Sequence, residues 1–257
     1  MIAAVMISIL KPFDEKLFCL SAYHSRISNI VEELFGLMKQ QSDYLQAMGI
    51  DEWELRQSAQ EPHEQALLPV EQLDWASLAD RVSQCTACDL HKSRTQTVFG
   101  VGHRQADLMC IGEAPGARED AMGEPFVGRA GQLLDQILKA IDLDREHIFI
   151  ANILKCRPPD NRDPDMQEVN CCTPYLKRQI ELLQPKLIVA LGRIAAQYLL
   201  NTKTSLSQLR QQQHYYQQVP LLVTYHPAYL LRNPPQKAKA WQDWQYINHN
   251  LTQGLAS

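Results

Sequence analysis

The chain has 257 residues, of which 45% are apolar, and it contains 7 cysteines. This length and composition suit one core of enzyme size and exclude an intrinsically disordered protein. The formal net charge of −4 hides an uneven distribution: residues 1–84 carry 6 basic and 13 acidic side chains, whereas residues 85–257 carry 19 and 16. The mildly basic second part permits nucleic-acid binding without demanding it.

The start of the chain and the cysteines bear on the cellular compartment. Residues 1–10 are apolar, but they lack a basic beginning and a cleavage site, so we do not predict a secretory signal. The sequence has no run of the roughly 18–20 apolar residues that a membrane helix needs. Cysteines in such a chain favour metal ligation or core packing over disulfides. We therefore expect a monomeric, cytoplasmic protein that does not bind membranes.

The front of the chain is predicted to be an extension. Residues 1–37 show weak helical periodicity, and Met38 is an alternative start that would leave them untranslated. A short helical pattern at 44–56 precedes a polar stretch with two prolines, which is typical of a linker. We predict a helical N-terminal extension and linker over residues 1–79 and a single domain over residues 80–257.

From residue 107 onward, short apolar runs alternate with amphipathic stretches. The predicted strands are Asp107–Gly112, His147–Asn152, Lys186–Gly192 and Pro220–Tyr225. The predicted helices are Ala130–Ile141, Asp165–Leu183, Ile194–Leu200 and Gln236–Leu251. This alternation predicts an α/β fold, a three-layer sandwich in which helices cover both faces of a central, mostly parallel four-stranded sheet.

Polar residues fall at the carboxyl ends of these strands. Glu113 follows the first strand, Asn152 ends the second, Arg193 follows the third and His226 follows the fourth. In open α/β sheets, ligands bind along this edge. We therefore expect the four strand ends to converge on one crevice.

Four cysteines are candidate metal ligands. Cys85 and Cys88 form a C-x-x-C pair, while Cys156 and Cys172 flank a Pro-rich turn and the long helix. Four thiolates suit tetrahedral zinc and a four-iron cluster equally well. Cys110 lies within a predicted strand, where a small buried residue is the better interpretation.

The turn after the first strand can bring backbone and carboxylates to a ligand. Gly112-Glu-Ala-Pro-Gly116 is either an ordinary strand-to-helix loop or a close approach of backbone to substrate, with Glu113 and Glu119 as acid or base candidates. Phe126 lies between turn residues. Its ring either stacks on a planar ligand or fills the core.

The segment after the last strand carries a second candidate site. His226 leaves the strand end, and Pro227 fixes the following turn. Tyr229, Leu230, Leu231 and Arg232 then form an apolar and basic projection. Taken alone, His226 fits a structural histidine, but its place at the same sheet edge as Glu113 favours function.

Several motifs occur together in one order. They are Cys85-x-x-Cys88, Val98-Phe-Gly, Gly112-Glu-Ala-Pro-Gly116, Pro125-Phe-Val-Gly-x-Ala-Gly-Gln-Leu-Leu134, Asn152-Ile-Leu-Lys-Cys-Arg-Pro-Pro159, Cys172-x-Pro-Tyr-Leu176 and His226-Pro-Ala-Tyr-Leu-Leu-Arg-Asn233. Over about residues 80–250, the chain therefore resembles family 4 uracil-DNA glycosylases, the iron-sulfur type. The alignment at the Pro-Tyr-Leu step selects Cys172 over the adjacent Cys171.

This resemblance implies an enzyme that flips uracil out of DNA and hydrolyses its N-glycosidic bond, leaving an abasic site. Phe126 would stack on the uracil ring, the Asn152 amide would pair with its edge, and the backbone at Ala114 would shape the pocket. His226 would donate to a uracil carbonyl oxygen as negative charge grows there. Glu119, with Glu113 second, would orient water or steady the sugar cation.

The resemblance also implies contacts to DNA and a cofactor. Leu230, Leu231 and Arg232 would fill the gap left by the flipped base and contact phosphate. The thiolates of Cys85, Cys88, Cys156 and Cys172 would hold a structural 4Fe-4S cluster, with zinc as the alternative occupant. The alternative function is a non-catalytic iron-sulfur DNA-binding accessory of replication with the same fold.

One further likeness concerns the extension. Residues 44–56 resemble the amino-terminal segment of the ψ subunit of the bacterial replicative clamp loader. This likeness implies docking on a clamp-loader or other replication protein, whereas the alternative is a short surface helix.

Overall fold

Four apolar runs form the centre of the sheet. In this computed structural model, which describes residues 68–253, the chain forms β2 (Leu108–Gly112), β3 (Ile148–Asn152), β4 (Leu187–Leu191) and β6 (Val219–Thr224). They pair in parallel in the order β3-β2-β4-β6. The predicted fold class and its four parallel strands are confirmed.

Two short antiparallel strands extend the sheet to six strands within the described residues. They are β1 (Val101–Gly102), which pairs with β3, and β5 (His214–Tyr216), which pairs with β6. The predicted count of four strands misses both. Strands of two and three residues are too short to show the apolar alternation that identifies a strand in a sequence.

Helices lie between and after the strands. The α-helices are α1 (Trp75–Ser83), α2 (Ala117–Met122), α3 (Arg129–Lys139), α4 (Met166–Leu183), α5 (Arg193–Leu199), α6 (Leu206–Leu209), α7 (Pro227–Arg232) and α8 (Lys237–Gln253). The 3-10 helices are Val70–Gln72, Asp89–Lys92, Pro159–Asn161 and Pro234–Gln236. A capping box between Asp165 and Glu168 begins α4, because each side chain accepts a backbone N–H at that helix end.

The core lies on both faces of the sheet, because successive strand residues point in opposite directions. On β2, Met109 and Ile111 join a cluster that includes residues of α4 and α5. Leu108 and Cys110 join a second cluster, with residues of α3 and α8. The structure thus has the predicted three layers, and Cys110 is a fully buried core residue.

The predicted domain boundary after residue 79 lies within a helix. It falls inside α1, whose N-cap residue Asp74 accepts the Ser77 N–H through its carboxylate. Leu78 and Val82 of this helix are fully buried and pack with Tyr175 of α4. Leu78 therefore packs against residues on the other side of the predicted boundary.

The other predictions for the extension concern residues that the structure does not describe. The residues not described are 1–67 and 254–257, which include the proposed docking segment 44–56 and the stretch 1–37. Among the helices of residues 68–253, none combines the length and apolar character needed to cross a membrane.

The strand order places a crevice at the carboxyl ends of β2 and β4. The connection from β2 leads to β3 on one side, whereas β4 and β6 lie on the other, so the chain switches direction between β2 and β4. Backbone hydrogen bonds continue past the strand ends. The Gly192 N–H donates to the Thr224 carbonyl at 2.8 Å, and the Ile153 N–H donates to that of Gly112 at 3.0 Å.

Candidate functional site

One cavity of about 800 Å³ opens at this edge of the sheet. Its lining includes residues from all four parallel strand ends: Glu113, Asn152, Gly192 and His226. The expected convergence of the strand ends is therefore observed. Ala114, Glu119 and Phe126 line the same cavity, so the structure brings the predicted pocket residues together.

Two glycines allow the pocket side chains to approach the backbone closely. A Cβ atom at Gly112 would lie 2.3 Å from Asn152 Oδ1 and 2.9 Å from Phe126 Cζ. A Cβ atom at Gly192, which has a φ of +97°, would lie 2.8 Å from the Cβ of His226. A side chain at either glycine would displace the groups that face the cavity.

Asn152 presents an unpaired amide to the cavity. The residue is only 2% exposed, and its side chain makes no hydrogen bond with any other part of residues 68–253. Its backbone carbonyl accepts from the buried Lys155 Nζ at 2.9 Å, and the same ammonium donates to Gln179 Oε1 at 2.7 Å. The backbone is thus fixed while the amide is available to a ligand that both donates and accepts.

Phe126 is held in a left-handed conformation, with a φ of 56°. Arg145 donates to the Phe126 carbonyl at 2.5 Å and to the Pro125 carbonyl at 3.1 Å. Asp135 accepts from the Arg145 Nε at 2.6 Å. A Cβ at Gly131 would lie 1.5 Å from the Phe126 carbonyl oxygen, so α3 can pass this loop only because residue 131 is glycine.

His226 caps α7 and faces the cavity in its neutral form. Its Nδ1 accepts the Ala228 N–H at 3.1 Å, so the neutral ring carries its proton on Nε2. Burial, assisted by the nearby Arg232, lowers the pKa of His226 to about 4. Near neutral pH, the imidazole is therefore an uncharged hydrogen-bond donor.

The two predicted carboxylates differ in their surroundings. Burial, with help from the charge on Asp163, raises the pKa of Glu113 to about 7, and Arg193 opposes this rise. Glu119 instead accepts backbone N–H groups at the start of α3, from Val127 at 3.1 Å and from residue 128 at 3.2 Å. Glu113 is therefore able to exchange a proton near neutral pH, whereas Glu119 is anchored to the loop.

Leu230, one of the predicted DNA contacts, is buried in this structure. Leu230 is 1% exposed and packs with Tyr225 and Ala240, because α7 turns this position towards the core. Leu231 is partly exposed and Arg232 is exposed, so both remain available for contact with DNA.

Two residues at this site were not predicted. Arg145 supports the Phe126 loop, and Asp163 faces Glu113. Tyr229, which the sequence places in the projection after His226, is 37% exposed at the cavity wall. The exposed position of Tyr229 follows from the burial of Leu230, since the two neighbours on the helix point in different directions. The sequence carried no comparable signal for Arg145 or Asp163.

The four candidate ligand cysteines lie in one neighbourhood. Cys156 and Cys172 interact electrostatically with each other and with Cys88, and Cys156 also does so with Cys85. Two polar groups reach these sulfur atoms. Arg94 donates to Cys156 Sγ at 3.1 Å, and the hydroxyl of the tyrosine at position 175 donates to Cys85 Sγ at 3.3 Å.

Burial distinguishes the two adjacent cysteines of α4. Cys172 is 3% exposed, and desolvation raises the pKa of its thiol to about 12. Cys171 is more exposed and donates to the Ala87 carbonyl at 3.3 Å. Both cysteines lie near Cys88, so the choice of Cys172 as the ligand stays a prediction from the sequence. Within residues 68–253, no three Cys, His, Asp or Glu side chains converge closely enough to bind a single metal ion.

Comparisons with known proteins agree with this fold and site. The model of the uracil DNA glycosylase superfamily matches residues 99–245, which include every strand of the described sheet and most of the cavity. The chain belongs to this superfamily. The matched range begins after the cysteine pair at 85 and 88.

Individual relatives define the group within the superfamily. A type-4 uracil-DNA glycosylase of Archaeoglobus fulgidus is 42% identical over 186 residues, covering 69% of this chain and 92% of the relative. The type-4 enzymes of Saccharolobus solfataricus and Thermotoga maritima are each 42% identical, covering 68% and 61% of this chain and 85% and 82% of theirs. Within its superfamily, the protein is thus a type-4 member, the group that its motifs resemble.

Proposed function

We propose that this protein is a DNA repair enzyme that flips uracil out of DNA and hydrolyses the bond between the base and the deoxyribose. The observation that carries this proposal is that two polar side-chain groups with no hydrogen-bond partner in the described part of the chain face the same open cavity. The Asn152 amide and the His226 Nε2–H both lack a partner within residues 68–253. Uracil offers alternating carbonyl and N–H groups that match them.

The geometry supports a specific role for His226. When the N-glycosidic bond breaks, its electron pair moves to the base, and negative charge develops on a uracil carbonyl oxygen. A neutral Nε2–H donates to this oxygen without first requiring a buried positive charge. The contact between Nδ1 and the Ala228 N–H keeps the ring in the orientation and tautomer that the donation needs.

We assign different tasks to the two carboxylates. Glu113, with its pKa near 7, accepts a proton from the water that attacks the sugar carbon. Glu119 is held by backbone amides, and its fixed carboxylate opposes the positive charge that develops on the sugar. This assignment makes Glu113, rather than Glu119, the group that handles water.

The first experiment is incubation of the purified full chain with a labelled oligonucleotide that carries one uracil, beside a thymine control. Alkaline cleavage then reports abasic sites. We expect scission only at uracil, and a large loss of rate in Asn152→Ala. Asn170→Ala is the matched control, because Asn170 lies exposed on α4, away from the cavity. No scission by protein with its metal site filled would instead favour the non-catalytic accessory.

We further propose that Cys85, Cys88, Cys156 and Cys172 hold a 4Fe-4S cluster. Their shared neighbourhood supports this assignment, and so does the resemblance of the chain to the iron-sulfur type of these glycosylases. Zinc needs thiolates around a single atom, whereas a four-iron cluster binds each cysteine through a different iron. When bound, the cluster cross-links the segments that carry the cysteines, a task that needs no electron transfer.

Elemental analysis distinguishes the two possible occupants. We expect about four iron atoms and equivalent acid-labile sulfide per chain, as a four-iron cluster requires. Stoichiometric zinc in protein purified without oxygen would overturn the cluster assignment.

Two further proposals, on the binding partner of the extension and on the cellular compartment, rest on the sequence alone. We propose that residues 44–56 bind a clamp-loader protein and that the enzyme acts in the cytoplasm, where DNA and reduced cysteines coexist. Deletion of residues 1–60 should abolish binding to a purified clamp loader while uracil release persists. Unchanged binding would refute the docking role.

A further inference from the structure

The cavity extends beyond the space needed for one pyrimidine. Its volume of about 800 Å³ is in the range of pockets that bind ligands much larger than a single base. Tyr229 of α7 and Lys239 of α8 line this cavity together with Asn152, Phe126 and His226. Tyr229 and Lys239 have no role in the chemistry described above.

The ring of Tyr229 is ordered by a stack of side chains. It lies parallel to the ring of Tyr225, with an interplanar angle of 7° and a centroid distance of 5.6 Å. The guanidinium of Arg210 lies 4.5 Å from the centroid of Tyr225 and donates to its hydroxyl at 3.2 Å. Tyr225 is only 8% exposed, so the stack extends from the interior to the exposed Tyr229.

A buried ion pair anchors this stack. Both carboxylate oxygens of Asp243 accept from Arg210, at 2.7 and 2.8 Å, and Thr224 donates to the same carboxylate at 2.8 Å. Asp243 is 2% exposed. A ring ordered in this way loses little conformational entropy when a second ring stacks on it.

Positive charge accompanies the exposed ring. Arg232 and Lys239 are exposed and line the same cavity. Neither has an acidic ion-pair partner among residues 68–253. Exposed aromatic rings near cations are the means by which proteins bind single-stranded nucleic acid, with bases on rings and phosphates on cations.

We propose that Tyr229 is a stacking platform for the nucleobase that neighbours the uracil in the substrate strand, with Arg232 and Lys239 at the adjoining phosphates. The inference rests on the proposed uracil-releasing function and names a second subsite for it. Withdrawal of uracil into the inner pocket leaves the neighbouring base without a stacking partner. The ring of Tyr229 replaces that partner, and the buried Leu230 next to it supports the helix.

The test removes the stacking partners from the protein and from the DNA in turn. Uracil release at limiting substrate is measured for the full chain on single-stranded oligonucleotides in which the nucleotide before or after the uracil is intact or lacks its base. We expect wild type to lose about tenfold in kcat/KM when the base on one side is missing, a typical effect of one base-aromatic stack. Tyr229→Ala should lose about the same factor in kcat/KM on the intact strand. On the strand that lacks this base, its kcat/KM should fall no further.

Two variants provide controls. Tyr229→Phe keeps the ring and should behave as wild type. Tyr246→Ala removes a tyrosine of similar exposure, 36% against 37%, that does not line the cavity, and it should also behave as wild type.

Separate outcomes would overturn the inference and the function beneath it. The inference would be overturned if the kcat/KM of wild type were unchanged when the base on either side of the uracil is missing. It would also be overturned if, on both sides, the loss from Tyr229→Ala and the loss from the missing base multiplied. Wild type that releases no uracil from the intact strand would overturn the proposed function and the inference together.

Discussion

The pocket at the strand ends and the cysteine region are organised by different means. In the pocket, the decisive features belong to the backbone: Gly112 and Gly192 leave no room for a Cβ, and Phe126 has a positive φ. In the cysteine region, side chains meet side chains, as in the contact between Arg94 and Cys156 Sγ. The pocket is thus shaped by the fold itself, whereas the cysteine region depends on what its thiols bind. Substitutions in the pocket should therefore lower the rate of uracil release, whereas substitutions of the cysteines should lower stability.

The largest expected effect is on stability, from Cys156→Ala. Loss of one thiolate should release the cluster and the folding free energy that metal binding supplies, so that iron content and melting temperature both fall steeply. The measurements are iron analysis, visible absorption and thermal unfolding. Cys171→Ser is the matched control and should retain both properties. Cys156→Ala protein with normal iron content and an unchanged melting temperature would show that the cysteine region does not depend on a bound cluster.

The next largest effect is on chemistry, from His226→Ala. Removal of one donor to a developing negative charge typically lowers turnover by about 10²–10³-fold. The fold should persist, because the loss of the helix cap costs only about 1 kcal/mol. Single-turnover uracil release and circular dichroism measure the two quantities. Full uracil release by His226→Ala would refute the assigned mechanism.

The third expected effect is a pH dependence from Glu113. Its raised pKa leaves it protonated below about 7 and ionised above, so a base role predicts a rate that rises about tenfold from about pH 6 to about pH 8. His226, with its pKa near 4, should add no inflection near its ordinary value. Glu113→Gln should be slow and flat across this range. A Glu113→Gln profile that still rises through pH 7 would transfer the base role to another group.

The smallest effect is expected from Arg145→Met, which removes a positioning residue. Loss of the donors to the Phe126 carbonyl should relax the ring and lower kcat/KM by up to about tenfold. The loss should not add to that of Phe126→Leu, since Arg145 acts through that ring. Arg178→Met is the control, because Arg178 bonds the remote Leu73 carbonyl. Additive losses would show that Arg145 acts elsewhere.

The central layers were predictable because each parallel strand is a short run of mainly apolar residues. Placement at strand ends was equally predictable for Asn152 and His226, since the carboxyl edge of a parallel sheet is shared. The Arg145 contact was not, because it joins residues 19 positions apart without any local pattern. The burial of Leu230 was not predictable, because residue type alone does not show which way a short helix faces.

The segment from Asn152 to Cys156 serves both regions at once. Asn152 offers its amide to the cavity, and four residues later Cys156 lies beside the other cysteines, with Lys155 between them fixing the Asn152 carbonyl. An extended chain advances about 3.3 Å per residue. One inserted or deleted residue here would therefore displace either Asn152 from the cavity or Cys156 from the other cysteines. A change in the length of this segment therefore cannot leave uracil recognition and cofactor binding both intact.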